Sequence, residues 1–563
     1  VHGLPIIEHA EFGRNVPDEA MPDEDKMNLG KIYHMGKEEA AGLLLNRQAM
    51  ASHTFITGST GTGKSNAVYH LLDEITKNGQ TTFLVVEPAK GEYKNVFGNC
   101  TDVQVFGTNP RETPLLRMNP FAFPENIHIL EHIDRLVEIF NACWPMYAAM
   151  PAVLKDAIER SYQKVGWDLR NSESEKGIFP TFFDLLDILP GVIEESHYSK
   201  DTQSDYVGAL CTRVKSLTNG IYGSVLCAED ALTDEALFDR NVIVDLSRVG
   251  SMETKSLLMG ILVMKLQEYR MCSSGMNSRL RHVTVLEEAH NLLRKTSAEQ
   301  SQEGANLQGK SVEMLANAIA EMRTYGEGFI IADQAPGLLD MSVIRNTNTK
   351  IILRLPDEED RKLVGKSAAL KEAQIDELSK LPLGVAAVYQ NEWPEAVLCK
   401  IEAYPMPENA VYHKPSKMPH EINAEFVFGQ LAVGKELEPL SSSEMEQLKL
   451  WLKRHETVLK PEDDRYLERV FAGGELDVAK TRKAVFDFFG GIGTVVDYCA
   501  AAKKSLTPRK EFLEQLQGQY GLKAAAADWV LNSVISMGMS LNPDAKAVDN
   551  LRTNFEQQGG RVL

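Results

Sequence analysis

Short apolar runs alternate with amphipathic stretches along most of the chain between residues 51 and 403. Apolar runs rich in β-branched side chains predict buried strands, and apolar positions recurring at helical spacing predict the helices between them. Continuous apolar runs suit strands that are covered on both faces, so the pattern predicts a parallel sheet flanked by helices. The predicted strands are TFIT, TTFLVVEP, VQVF, NVIVDLS, HVTVLEE, GFIIADQ and TKIILRL, and the predicted helices are NAVYHLLDEITKN, METKSLLMGILVMKLQEY and a stretch near 311–325.

Two regions depart from this alternation. Residues 125–235 are predicted to be mainly helical, because one apolar stripe recurs there at helical spacing. Residues 403–419 carry four prolines and predict a linker or an extended arm, and a capping-box pattern at 441–444 then opens a helix. We therefore divide the chain into an N-terminal segment at 1–50, an α/β core at 51–124 and 236–403, a helical insertion at 125–235, a linker or arm at 404–440, and a mainly helical C-terminal region at 441–563.

Composition narrows the class of protein. A chain of 563 residues with 43% hydrophobic and 25% charged residues is typical of a globular protein with several domains. No window approaches eighteen uninterrupted apolar residues, and the seven cysteines form no CxxC pair, which predicts a cytoplasmic protein with reduced thiols and no membrane span. The net charge of −19 argues against coating of nucleic acid by the whole surface but leaves room for a narrow basic channel.

A glycine-rich turn with a lysine follows the first predicted strand and precedes a predicted helix. Its sequence, GSTGTGKS, fits the phosphate-binding pattern G-x-x-x-x-G-K-[ST]. Backbone N–H groups in such a loop surround phosphate oxygens, while Lys64 reaches the β- and γ-phosphates and the hydroxyl of Ser65 binds Mg²⁺. A P-loop NTPase (RecA-like) core follows, with ATP and Mg²⁺ as cofactors. The predicted ATP contacts are Gly58, Ser59, Thr60, Gly61, Thr62, Gly63, Lys64, Ser65 and Asn66.

An acidic pair and a glutamine end two further predicted strands. We expect Glu287 to support the Mg²⁺ shell, and Glu288, which projects past the strand end, to polarise the attacking water. Gln334 ends the strand FIIADQ and is predicted to sense the γ-phosphate or to orient the water. The alternatives are a solvated acidic strand end and a capping glutamine.

An arginine near the second of these strands is predicted to act between subunits. Arg323 lies in the turn EMRTYGEG, from which it would reach a neighbour's nucleotide more easily than its own and stabilise transition-state charge there. Arg47, Arg345 and Arg354 compete for this role, and any one of these arginines is also explained as a solvated surface charge.

Taken together, these motifs resemble those of the HerA-like ATPases in the HerA/FtsK branch of P-loop ATPases. The resemblance covers residues 45–403 in family order, although the family usually shows Asp-Pro-His-Gly-Glu-Tyr and Asp-Glu where this chain has EPAKGEY and Glu287-Glu288. Both departures keep a carboxylate, so an active enzyme is expected. The matching segments are SHTFITGSTGTGKSN, VVEPAKGEY, NVIVDLSRV, VTVLEEAHNLL and RTYGEGFIIADQAPGLLDMSVIRNTNTKIILRL.

The resemblance implies a homohexameric ring that hydrolyses ATP between subunits and drives double-stranded DNA through its channel. It makes Arg323 the finger in trans and Arg47 a second nucleotide contact. Family members commonly carry an N-terminal β-barrel, so residues 1–50 are expected to be a reduced or a truncated barrel. The resemblance also implies a partner: a nuclease, or, in bacterial antiphage defence, an effector with a nuclease or sirtuin-like NADase domain.

Two other functions remain open at this point: a scaffold ATPase that assembles and licenses an effector, and a membrane-associated conjugation or secretion motor. The lack of a spanning segment weighs against the second. His128 and His132 have a spacing that zinc could use, but no third ligand is evident. The stretch GGIGTVV is predicted to be a helix break, and residues 294–310 are predicted to be either a loop facing the ring's channel or a solvated surface loop.

Overall fold

The computed structural model of this chain consists of two compact units, Val1–Ser174 with Phe179–Lys414, and Glu175–Ile178 with Pro415–Leu563. It describes residues 9–17, 21–147, 149–174, 178–228, 231–296, 304–406, 410–414, 465–467, 469–470, 477–504, 507–520, 524–560 and 562. The predicted capping-box helix at 441–444, most of the predicted linker at 404–440, and residues 297–303 of the predicted loop lie outside these described residues.

An eleven-stranded sheet forms the first unit's framework, in the order β2-β1-β13-β12-β11-β3-β10-β9-β4-β8-β5. A separate pair of two-residue strands, β6 and β7, lies in the insertion. The strands are β1 (Lys26–His34), β2 (Lys37–Asn46), β3 (Thr54–Thr57), β4 (Thr82–Glu87), β5 (Val103–Gly107), β6 (Trp167–Asp168), β7 (Glu173–Ser174), β8 (Asn241–Asp245), β9 (His282–Glu287), β10 (Glu327–Asp333), β11 (Thr349–Ile352), β12 (Val385–Gln390) and β13 (Val397–Ile401).

The strands from β11 to β5 run parallel, which confirms the predicted α/β class. Every residue of β3, β8, β9 and β10 is buried, as expected where helices cover both faces of a sheet. Strand β10 lies between β3, which leads into the glycine-rich turn, and β9, which ends in the acidic pair. This is the arrangement of a RecA-like P-loop NTPase, and it brings the carboxyl ends of all three strands to one edge.

Four strands of the large sheet were not predicted, nor was the short pair β6 and β7. Strands β1 and β2 form an antiparallel hairpin, and β1 pairs with β13, which in turn pairs with β12. The described part of residues 1–50 therefore extends the sheet rather than closing into the β-barrel expected from the resemblance. Because β12 pairs antiparallel with β11, these four strands form an antiparallel end to an otherwise parallel sheet.

Helices cover the sheet and build the insertion. In the first unit they are α1 (Lys64–Thr76), α2 (Tyr93–Phe97), α3 (Ile129–Cys143), α4 (Met150–Lys164), α5 (Phe182–Glu195), α6 (Lys200–Tyr206), α7 (Thr212–Thr218), α8 (Gly220–Leu226), α9 (Asp234–Phe238), α10 (Met252–Ser273), α11 (Gly304–Glu321), α12 (Met341–Arg345), α13 (Glu358–Ser367) and α14 (Glu372–Glu377). Helix α11 begins seven residues earlier than predicted, so the part of 294–310 from Gly304 onward is helical rather than a loop.

The insertion shares a hydrophobic core with the sheet. Ile133, Leu136 and Phe140 on α3 belong to the same buried cluster as Leu84 on β4 and Val244 on β8. The two histidines that zinc could have used have structural roles here. His128 caps α3 by accepting the backbone N–H of Leu130, and His132 is fully buried against the carboxylate of Glu268 at 2.9 Å.

The described part of the second unit is helical and has its own core, which includes Leu467, Phe488, Tyr498, Leu531 and Phe555. GGIGTVV contains the break between two helices, where Gly490 and Gly491 have φ of 91° and 55°. Within the described residues no single helix is long and apolar enough to cross a bilayer, and the bent pair Ala479–Phe488 and Gly491–Ala502 meets that test only when combined. The helices are α15 (Val478–Phe488), α16 (Gly491–Ala502), α17 (Pro508–Tyr520), α18 (Ala524–Leu541) and α19 (Ala545–Gln557).

A buried ionic network joins the amino ends of β9 and β10 to α10. Arg270 is 0% exposed and donates to Glu327 at 2.9 Å and to Asp239 at 2.7 Å. Glu327, itself 0% exposed, also accepts from Thr284 at 2.8 Å and lies 2.8 Å from Nδ1 of His282. Removing one member of such a network leaves a buried charge without a partner.

We predict that Arg270→Met lowers the free energy of unfolding of the first unit by about 3–5 kcal/mol, because the Glu327 carboxylate loses its cation while remaining buried. Urea denaturation followed by circular dichroism measures this change. Arg281→Met is the matched control, because Arg281 is 41% exposed and lies 3.9 Å from Asp239; its effect should stay below about 1 kcal/mol. Equal losses in the two variants would contradict the importance of the buried network.

Candidate active site

The glycine-rich turn between β3 and α1 has the backbone shape of a phosphate-binding loop. Gly61 and Gly63 have φ of 77° and 106°, a region that side chains disfavour. A Cβ at Gly58 would lie 2.7 Å from Cβ of Leu353 and 2.7 Å from the hydroxyl of Thr62. That hydroxyl donates to the carbonyl of Ser59 at 2.7 Å and closes the turn from inside.

Lys64 faces the acidic pair across the edge of the sheet. Its ammonium lies 3.4 Å from Oε1 of Glu288 and 4.0 Å from Oε2 of Glu287, and its side chain is only 10% exposed. Gln334 joins the same group: its amide donates to Oε2 of Glu288 at 3.3 Å and accepts from the hydroxyl of Thr60 at 3.0 Å. The structure thus brings together the phosphate loop, the acidic pair and the glutamine predicted as a sensor.

The two adjacent glutamates have different surroundings. Glu287 is the last residue of β9 and accepts the hydroxyl of Tyr93 at 2.5 Å. Burial raises the pKa of Glu287, and the nearby charge of Lys64 partly offsets that effect. Glu288 leaves the strand with a φ of 46°, a left-handed conformation that is rare for a residue with a side chain. Its turn places Glu288 in the wall of the cavity that Lys64 also lines.

The cavity above these residues has a volume of about 600 Å³, which lies in the range of pockets that hold small molecules and cofactors. Its positive groups are Lys64, Lys90 and Lys255; among the residues that the structure describes, no arginine lines it. The lining residues are Ser59, Thr60, Gly61, Gly63, Lys64, Ser65, Asn66, Pro88, Ala89, Lys90, Met252, Lys255, Glu288, His290, Asn291, Gln334 and Leu383.

Comparisons with known proteins find helicases among the relatives of this chain. A family model described as the central domain of helicase HerA matches residues 27–265. Over this region the chain resembles the HerA-like P-loop ATPases. It is 25% identical over 393 residues to the DNA double-strand break repair helicase HerA of Sulfolobus acidocaldarius, covering 67% of this chain and 69% of that protein. It is 23% identical over 436 residues to the probable helicase MJECL08 of Methanocaldococcus jannaschii, covering 71% and 76% respectively.

Among solved structures, VirB4 of Thermoanaerobacter pseudethanolicus matches with a TM-score of 0.49 and 18% identity, covering 68% of this chain and 98% of that chain. The plasmid coupling protein TrwB in complex with an ATP analogue matches with a TM-score of 0.48 and 14% identity, covering 74% and 99% respectively.

Glu87, which stands where the family usually has an aspartate, holds the turn that follows β4. The two oxygens of this carboxylate accept the backbone N–H groups of Glu92 at 2.7 Å and of Tyr93 at 3.1 Å. Burial raises the pKa of Glu87 to about 7. Glu87 therefore fixes the turn that carries Lys90 into the cavity wall and Tyr93 to Glu287.

The nucleotide contact predicted for Arg47 is wrong for the pocket of its own protomer. Arg47 is buried, and its guanidinium donates to the carbonyls of Glu24 at 3.2 Å and of Ile75. Ile75 belongs to the last turn of α1, roughly 16 Å from the phosphate loop at the rise of an α-helix. Arg47 thus satisfies a carbonyl at the carboxyl end of the helix, where a cation is favourable.

Asn66 lies in the cavity wall, but its side chain is bonded to backbone groups of its own chain. The amide donates to the carbonyl of Glu402 at 2.9 Å and accepts the backbone N–H of Tyr404 at 2.8 Å. These bonds attach the start of α1 to the chain that follows β13. The ATP contact of Asn66 stays a prediction.

Arg323 lies at the amino edge of the sheet, whereas the cavity lies at the carboxyl edge. It is exposed in the turn Met322–Tyr325, directly before β10, whereas Gln334 directly follows the far end of that strand. A seven-residue strand spans roughly 23 Å, so Arg323 does not reach its own cavity. Arg345 is also exposed, and Arg354 follows β11 with its carbonyl accepting the N–H of Ser59 at 3.0 Å.

Sequence reasoning missed Asp333 and His290, although both lie inside quoted motifs. Asp333 is fully buried and accepts the backbone N–H of His290 at 2.8 Å, and its carboxylate lies 2.9 Å from Nδ1 of the His290 ring. This ring contact raises the pKa of His290. Ligand atoms of Glu288, His290 and Asp333 all lie within 4.8 Å of one another. Their positions could have indicated the pair, because His290 lies just after β9 and Asp333 ends β10.

We predict that Lys64→Ala and Glu288→Gln separate nucleotide binding from turnover. Lys64→Ala should weaken ATP binding by roughly 100-fold, because the phosphates lose their cation while Glu287 and Glu288 keep their charge. Glu288→Gln should leave the dissociation constant nearly unchanged and abolish turnover. Calorimetric titration and phosphate release measure the two quantities.

Lys77→Ala is the control for the lysine substitution, since Lys77 follows the opposite end of α1 and its side chain is 57% exposed. Wild-type hydrolysis by the Glu288→Gln protein would remove Glu288 from its assigned role.

Proposed function

We propose that this HerA-like ATPase is a Mg²⁺-dependent motor that moves double-stranded DNA, and that it works as a homohexamer with ATP held between neighbouring subunits. The observation that supports it best is a cavity lined by Lys64 and Glu288, with Glu287 4.0 Å from the Lys64 ammonium, while no arginine is present among the described lining residues. The cavity has the groups for phosphate binding and water activation, but the part of its lining that the structure describes offers no arginine for transition-state charge.

The residues divide the chemistry among themselves. Backbone N–H groups of residues 58–65 and the ammonium of Lys64 bind the phosphates, and Glu288 accepts the proton of the attacking water. Gln334 contacts both Thr60 in the loop and Glu288, so it is placed to report the state of the γ-phosphate to the base.

A divalent cation fits the oxygen donors at this edge of the sheet. The hydroxyl of Ser65 and the carboxylate of Glu287 would hold Mg²⁺, which prefers oxygen ligands and would neutralise phosphate charge. Glu287 fits this role because its carboxylate is buried, has a raised pKa, and lies 4.0 Å from its nearest ammonium. A cation would therefore favour its ionised form.

The lack of an arginine among the described lining residues supports a site that a neighbouring subunit completes. Arg323 is exposed at the amino edge of the sheet, opposite the cavity, which is the position required of a residue that completes a neighbour's site. With each subunit contributing its carboxyl edge to one site and its amino edge to the next, a closed ring gives every site an arginine.

Double-stranded DNA is proposed as the substrate because the relative from Sulfolobus acidocaldarius is a DNA double-strand break repair helicase. The net charge of −19 favours a second candidate, a scaffold ATPase that assembles and licenses an effector without processive movement. A nuclease or NADase-type effector, and a role in antiphage defence, stay predictions for either function. Mass measurement of particles purified alone and with co-expressed operon neighbours tests both the hexamer and the effector.

Mixing two inactive variants tests the shared site. In a random mixture of Arg323→Ala and Glu288→Gln subunits, a site is intact when the first type supplies Glu288 and the second supplies Arg323, which holds for about a quarter of sites. We therefore expect ATPase activity to return on mixing, measured after the subunits have exchanged.

A mixture of Lys64→Ala and Glu288→Gln subunits is the control, because both lesions lie on the same side of the site and no intact site forms. Activity that fails to return in the first mixture would contradict the role of Arg323 in trans, and the same mixture with Arg345→Ala or Arg354→Ala would identify a replacement.

ATPase rates with and without linear duplex DNA separate the motor from the scaffold. We expect duplex DNA to raise kcat several-fold in the wild type, because a motor couples turnover to its track, and to have no effect on Glu288→Gln. The stimulation should fall as salt rises, since phosphate contacts release counterions. A rate that ignores DNA but responds to a co-purified effector would favour the scaffold.

A further inference from the structure

Asp333 is a buried charge whose contacts constrain the turn beside it. It is 0% exposed at the end of β10, and a carboxylate in that position is costly unless hydrogen bonds satisfy it. Three N–H groups do so: the backbone of His290 at 2.8 Å, the backbone of Ala335 at 2.9 Å, and Nδ1 of the His290 ring at 2.9 Å. Two of the three belong to His290, so Asp333 fixes both the backbone and the ring of that residue.

The fixed ring faces Glu288. Nδ1 of His290 lies 3.5 Å from Oε2 of Glu288, the amide of Gln334 lies 3.3 Å from the same oxygen, and the ammonium of Lys64 lies 3.4 Å from the other. All three distances exceed the 2.7–2.9 Å of strong charge-assisted hydrogen bonds. The amide of Gln334 donates to this carboxylate, while the His290 ring and the Lys64 ammonium approach it without strong hydrogen bonds. These groups confine the carboxylate and leave its lone pairs free to accept a proton from water.

The backbone at Glu288 needs such support. Its φ of 46° is a conformation that costs of order 1–3 kcal/mol for residues with side chains and persists only when its surroundings impose it. The backbone and side-chain N–H groups of Asn291 donate to the carbonyl of Glu288 at 2.9 Å and 2.7 Å. The bond from the backbone N–H of His290 to Asp333 attaches the same turn to β10.

We propose that Asp333 and His290 form a positioning pair that holds the carboxylate of Glu288 in the orientation needed to activate water. Asp333 holds the ring proton on Nδ1, and the ring in turn confines Glu288 between His290, Gln334 and Lys64. The pair acts through Glu288 and rests on the proposed role of that residue as the base.

A cation bound by Glu288, His290 and Asp333 is a poorer explanation of the same cluster. Metal binding through Nδ1 would require this nitrogen to lose the proton with which it donates a hydrogen bond to Asp333. Asp333 would also have to exchange its contact with that ring for the cation, although its charge is already met by three N–H groups.

Two substitutions at one position test the pair. His290→Ala removes the ring, so kcat should fall about 10- to 100-fold, the cost of a misplaced catalytic group. KM and the dissociation constant of ATP should change less than about threefold, because the phosphate loop is untouched. His290→Asn returns an N–H near the position of Nδ1 and should recover most of the lost kcat. Steady-state ATPase rates without DNA, with nucleotide titration and thermal denaturation for each variant, supply the readouts.

Wild-type kcat in the His290→Ala protein overturns the proposal. So does an Asn variant that is no more active than the Ala variant at equal thermal stability, since a purely structural role would follow stability instead. If neither histidine variant folds, Asp333→Asn takes their place: its kcat should fall with ATP affinity unchanged, and an unchanged kcat overturns the proposal.

These outcomes are distinct from failure of the proposed motor. Missing stimulation by DNA would contradict the motor and leave the pair intact, because the pair is measured on ATP alone. Hydrolysis by Glu288→Gln at the wild-type rate would remove the base itself, and the pair with it.

Discussion

The structure depends on one constraint: opposite charges must meet at the carboxyl edge of a sheet whose interior is closed to water. Strands β3, β9 and β10 are buried along their whole length, so the charged groups of the site reach the cavity only past the carboxyl ends of these strands. At that edge the ammonium of Lys64 faces the carboxylates of Glu287 and Glu288. A buried ammonium or carboxylate is costly without a partner of opposite charge. The phosphates of a nucleoside triphosphate would pair with Lys64, and the cation bound to them would pair with the carboxylates.

The two glutamates at this edge differ in how tightly their carboxylates are held. Glu287 has a short contact with Tyr93, and Tyr93 is placed by the turn that Glu87 holds. Glu288 has only long contacts, and its unusual backbone is imposed by bonds to Asn291 and, through His290, to Asp333. Fixed groups suit the binding of a metal ion and phosphates, whereas a carboxylate that takes a proton needs free lone pairs.

The sequence predicted the parts of the molecule that local pattern determines. Every predicted strand was found within a few residues, and the phosphate loop, the acidic pair and Gln334 were predicted to act together and do lie together. The antiparallel end was missed because β2 carries charged and small residues on an exposed face and β1 pairs with β13, which lies far away in the sequence. The helix-capping role of Arg47 was missed for a related reason: only the hairpin that buries it shows that it caps the end of α1. Asp333 and His290 escaped notice because their pairing requires β10 to lie beside β9, which no local pattern determines.

Strand β10 links the two ends of the proposed shared site within one protomer. Arg323 lies four residues before this strand, Asp333 ends it and Gln334 follows it. Gln334 contacts Glu288 directly, and Asp333 contacts the ring of His290. The buried network of Arg270, Glu327 and His282 fixes the amino end of this strand to α10 and β9. A packed strand of this kind transmits displacement rather than absorbing it. In the proposed ring, β10 is therefore the element that links Arg323 at one subunit interface with the groups around Glu288 in the same protomer.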